Sequence, residues 1–81
     1  MKIGVKILPK NEVLDTQGRA VESTLKSHGR AVEQCRVGKY VQLEISETDE
    51  GKALAKAKEI AEFVLYNPLI ETFELEVVKR G

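Results

Sequence analysis

The chain has 81 residues, 42% of them apolar and 32% charged, which gives one folded domain over 1–81 with a modest core and excludes a disordered tail. Thirteen basic residues balance thirteen acidic ones, so no net field draws in nucleic acid or an anionic membrane. Cys35 and His28 are the only cysteine and histidine, which excludes an internal disulfide and a Cys/His metal cage. With no charged-then-apolar leader and no long apolar run, a cytoplasmic location is expected.

The first element is KIGVKIL. Ile3, Val5 and Ile7 alternate with Lys2, Gly4 and Lys6, the pattern of a strand with one buried face. Pro9 ends it by removing a ladder donor.

Asp15 then offers an N-cap carboxylate, and Leu14, Gly18, Val21, Leu25 and His28 share a helical stripe behind it. Glycine inside a helix costs about 1 kcal/mol against alanine, so Gly18 implies a close neighbour. Gly29 supplies a left-handed stop, and His28 beside it is expected to have a structural role at the helix end.

Between Ala31 and Ile45 the odd positions are informative: Cys35, Val37, Val41, Leu43 and Ile45 are apolar. Two geometries keep that parity. One is a hairpin with Val37-Gly38-Lys39 as a three-residue loop, the slightly favoured reading; the other is one long strand bent at Gly38. Either way Cys35 is expected in the core, as a small buried hydrophobe.

Thr48 or Asp49 caps a second helix. Its apolar stripe is expected to be Leu54, Ala57, Ala61, Val64 and Leu65, widened by Ile60, with Lys58 and Glu62 as an i,i+4 ion pair on the wet face. Asn67-Pro68 stops this helix, and TFELEVV follows as a strand with Phe73, Leu75 and Val77 inward.

The expected fold is therefore α+β, a two-layer sandwich of order β-α-β-β-α-β in a ferredoxin-like arrangement. An antiparallel sheet carries both helices on one face. The alternative, β-α-β-α-β, has the long bent middle strand.

Little in this inventory suits chemistry. The acids fall on alternating outer strand positions or on a solvated helix face, where they are ordinary solubilising charge. VGKY lacks the upstream glycine and the following Ser or Thr of a phosphate-binding loop. The RNA-recognition reading fails too, because only Tyr40 among four aromatics is expected on the open sheet face. Arg36, Gly38, Lys39 and Tyr40 read instead as a surface for a partner, since arginine and tyrosine are enriched at interface hot spots. An ordinary hairpin turn would look the same.

Three stretches change that balance: DTQGRAVESTL at 15–25, RVGKYVQLEI at 36–45 and NPLIETFELEV at 67–77. Through them the chain resembles the PurS family, the small subunit of bacterial phosphoribosylformylglycinamidine (FGAM) synthase, over essentially its whole length. Thr16 stands where that family commonly has proline, and KNE at 10–12 replaces a more glycine-containing loop.

The resemblance implies a subunit without catalytic residues of its own, inside a glutamine- and ATP-dependent ligase complex of de novo purine synthesis. PurQ, a glutaminase, releases ammonia, and PurL, the ATP-dependent synthetase, uses it. PurS self-associates as a dimer or tetramer, joins the other two subunits and helps ammonia pass between them. ATP and Mg belong to the complex, and this chain is expected to bind no cofactor or metal. The interface residues expected on this reading are Arg36, Gly38, Lys39, Tyr40, Asn67 and Pro68. A rival of a different class is a ligand-sensing domain of the ACT type, which shares the two-layer topology.

Overall fold

The computed structural model describes residues 1–78 and has the order β1 (Lys2–Pro9), α1 (Thr16–Ser27), β2 (Lys39–Glu44), α2 (Glu50–Ile60) and β3 (Glu71–Val77). A π-helical turn, Ala61–Leu65, extends α2. The sheet is antiparallel with β1 in the centre, in the order β2-β1-β3. This is an α+β fold, and the ferredoxin-like description holds for its antiparallel sheet and two helices.

The middle segment is the β-α-β-α-β alternative, and the hairpin is not formed. Even the single strand is shorter than expected, because 34–38 has no ladder partner among the described residues and pairing begins at Lys39 opposite Ile7. Alternating hydropathy reports an extended backbone, not the existence of a neighbouring strand. Cys35 is accordingly half-buried rather than a core residue.

Ile3, Val5 and Ile7 are the largest fully buried side chains, as their alternation predicts. Over them lies α2, whose buried residues with the π turn are Ala53, Ala57 and Ala61. This four-residue spacing of methyl groups lets the helix approach the sheet closely. The π turn corrects the expected stripe. A wider turn advances less per residue than an α-helix, so Leu65 stays half-buried while Val64 rotates outward and Phe63 is 84% exposed. The expected Lys58–Glu62 pair straddles that turn and is absent among the described ion pairs.

The second correction concerns α1. Gly18 is its one buried residue, and Val21 remains 43% exposed on the stripe expected to face the sheet. The helical layer over the sheet is therefore α2, and the amphipathic face of α1 is largely uncovered within one chain. The local ends of α1 follow their residues closely. Asp15 caps the start, and Gly29 at φ 74° ends it, with Arg30 and Gly29 N–H groups donating to the carbonyls of Leu25 and Lys26. Among the described residues no helix is long and apolar enough to cross a membrane.

Candidate functional site

The segment 34–38 passes over the beginning of α1, and one carboxylate fastens the two. Asp15 Oδ1 accepts from the Gly18 N–H at 2.8 Å and Oδ2 accepts from the Val37 N–H at 2.9 Å. These donors, with Arg36 nearby, hold the Asp15 carboxyl below its ordinary value. Gly18 lies directly beneath the Cys35 carbonyl, so a Cβ at that position would overlap it. The close neighbour that glycine implied is thus a backbone oxygen.

This arrangement leaves a groove of about 540 Å³ between α1, the 10–14 loop and the 34–36 segment. Its charged lining is Lys10, Asp15, Arg19, Glu22, Lys26 and Arg36. Glu22 is held below its ordinary value chiefly by Lys26, which donates to it at 3.0 Å. Cys35 also lines the groove, but His28 does not join it. His28 sits at the far end of α1, with Nδ1 2.9 Å from the Thr24 carbonyl. Ten residues of helix separate it from Gly18, about 15 Å. Cys35, whose carbonyl lies over Gly18, and His28 are therefore too far apart to act as a thiol nucleophile and its base.

The expected surface around Arg36 is divided by the structure into separate regions. Arg36 faces the groove. Gly38 abuts the Ile7 carbonyl and, with Lys39, borders a neighbouring depression that Thr16, Gln17, Ile70 and Glu71 also line. Tyr40 lies on the outer face of the sheet, where its O–H donates to Glu76 Oε1 at 2.7 Å. Lys6 Nζ approaches the other oxygen of Glu76 at 3.3 Å. The ring covers Gly4, whose missing side chain leaves the path across the central strand from β2 to β3. The hydrogen bond to Glu76 raises the Tyr40 phenol above its ordinary value and lowers Glu76 in return. Tyr40 is therefore committed to its own sheet on one side while remaining 47% exposed on the other.

Asn67 and Pro68 are exposed at the turn into β3. Asn67 organises that turn: its Oδ1 accepts from the Leu69 N–H at 3.0 Å and its own N–H donates to Glu71 at 2.7 Å. The charged groove residues that sequence reasoning did not single out are Lys10, Arg19, Glu22 and Lys26. Arg19 was detectable as a charge one turn beyond the Asp15 cap, but Lys10 is a loop residue with no periodic signal.

What the geometry defines is a small α+β domain whose distinctive features are surfaces: a basic groove beside α1, a largely uncovered face of that helix, and a bonded Tyr40 on the open sheet face. A family model described as PurS, phosphoribosylformylglycinamidine (FGAM) synthase, matches residues 2–79. The PurS subunit of this synthase from Bacillus subtilis is 38% identical over 77 residues, which is 94% of this chain and 90% of that protein. A crystal form of B. subtilis PurS superposes with a TM-score of 0.77 at 37% identity, covering 96% of this chain and 98% of that one. A chain of the Thermotoga maritima PurLQS structure superposes with a TM-score of 0.84 at 28% identity, covering 93% of each. The chain belongs to the PurS family of FGAM synthase subunits.

Proposed function

We propose that this protein acts as the non-catalytic small subunit of a cytoplasmic FGAM synthase. It self-associates, joins the PurQ glutaminase to the ATP-dependent PurL synthetase, and supports the transfer of ammonia between them. ATP and Mg are used by the complex and not held by this chain. The observation that carries the reading is the likeness to a chain of the T. maritima PurLQS assembly over 93% of the length. Two features of the fold support it. The stripe of α1 is only partly covered, and Phe63, Val64 and Leu69 are exposed around the π turn and the turn before β3. Apolar surface left open in this way suits association with a second chain.

The test is reconstitution with the PurL and PurQ subunits of the same organism. Complex mass and glutamine-dependent turnover are measured with and without this chain. The reading requires a larger complex and a turnover that depends on the chain. Equal glutamine-dependent turnover in its absence would refute it.

A further inference from the structure

The basic groove beside α1 carries more positive charge than the chain as a whole. Four cations, Lys10, Arg19, Lys26 and Arg36, face two acids in a protein whose basic and acidic residues balance. Both acids are already engaged: Asp15 with the Gly18 and Val37 N–H groups, and Glu22 with Lys26. Among the described residues, Lys10, Arg19 and Arg36 have no carboxylate within 4.0 Å. Arg36 lowers the Asp15 carboxyl through space but forms no ion pair with it.

The cations are also spread out. Arg19 and Lys26 are seven residues apart on one helix, about 10 Å along its axis. A single phosphate cannot span that length, whereas an extended peptide rises about 3.3 Å per residue and covers it in three. From this charge complementarity, and resting on the assembly reading above, we infer that the groove receives an extended acidic segment of a partner subunit in the synthase, one that carries at least two carboxylates. Arg19 and Arg36 bind these carboxylates from opposite walls, and their planar guanidinium groups permit bidentate contacts. The adjoining depression at Gly38 and Lys39 continues the same contact surface.

The experiment measures the affinity of this chain for the PurL–PurQ subunits at about 50 mM and about 300 mM NaCl, a range over which exposed charge pairs are strongly screened. Wild type is compared with Arg19→Gln/Arg36→Gln and, because Arg36 is half-buried, with Lys10→Gln/Arg19→Gln. Melting temperatures verify that each variant is folded. The expected result is a loss of about tenfold or more in affinity at low salt for either double variant, with the gap to wild type narrowing at high salt. A variant that binds like wild type, or one weakened equally at both salts, overturns the inference. So does saturable binding of pyrophosphate to the isolated chain that the substitutions abolish, because the groove would then be a small-anion site. A wild-type chain that fails to bind the subunits at all removes the assembly reading as well, whereas equal binding by wild type and variants removes only this inference.

Discussion

The Asp15 carboxylate reaches across 22 positions of sequence to accept the Val37 N–H at 2.9 Å. The same group caps α1 through Gly18, so a single charge determines where the helix starts and where the strand-entry segment lies.

That double duty makes Asp15 a source of acid sensitivity. Its folded value lies below the ordinary 3.8. Its contribution is therefore fully present well above that pH and is lost as the pH falls through the folded value. Asp15→Asn keeps an oxygen for Gly18 but turns an amide N–H toward the Val37 N–H. Melting temperature at neutral pH should therefore fall in the order wild type, Asn, Ala. The wild-type curve should drop more steeply below about pH 4 than either variant's. Acid limbs of equal slope would show that Glu22, Glu47 and Glu76, also held low, carry the whole acid response.

Gly18→Ala sets two effects against each other. Helix propensity favours alanine by about 1 kcal/mol. Against it, the new methyl would overlap both the Cys35 carbonyl and the Asp15 carboxylate. Overpacking costs about 1–3 kcal/mol, and a backbone oxygen cannot swing aside as a long side chain can. The net result should be a loss of up to about 2 kcal/mol in urea unfolding, with an unchanged slope. A stabilised variant would mean that the 34–38 segment yields freely.

Features governed by near neighbours were legible in the sequence. The caps at Asp15 and Asp49, the stop at Gly29 and the buried face of β1 each depend on residues within one turn or one strand. What escaped depends on distant partners or on unusual backbone. Alternation at Cys35 and Val37 indicated extended chain but could not say that no strand lies beside it. The stripe of α1 announces a face to be covered without naming the cover. Nothing in AEFVL signals a π turn, so α-helical spacing puts Val64 inward. Tyr40 lies close to Arg36 in sequence, whereas its bond to Glu76 joins residues 36 apart and turns it to another face.

Tyr40 and Glu76 give a spectroscopic test of that bond. The phenol is raised above its ordinary 10.0 mainly because its neutral O–H donates to the carboxylate. The bond's contribution is therefore present below that pH and is lost as the pH rises through the raised folded value. In a Tyr66→Phe background, ultraviolet titration should place the Tyr40 midpoint above 10, and Glu76→Gln should bring it down. Tyr40→Phe should lower the melting temperature slightly. Tyr40→Ala should lower it more, because it also uncovers Gly4. If Tyr40→Ala melts like wild type, the ring is not part of the sheet's own structure and is free for a partner.

Thr16 is the first residue of α1, immediately after the Asp15 cap. Proline is favoured at this position, since its φ is already helical and the N–H it lacks has no intrahelical acceptor. The residue before a proline must be extended, and Asp15 already is, at φ −104° and ψ 90°. Thr16→Pro should therefore stabilise the protein by roughly 0.4–1 kcal/mol, chiefly by restricting the unfolded chain. For a domain of this size that is an increase of about 2–8 °C in melting temperature. Protein concentration must be matched, because self-association also raises the melt. The ring would occupy the margin of the depression that Thr16 shares with Gly38 and Lys39. A lower melt accompanied by a flattened acid limb would mean that the ring has displaced Asp15 from Val37, and that the N-terminal geometry of α1 is set by that carboxylate and not by the first turn.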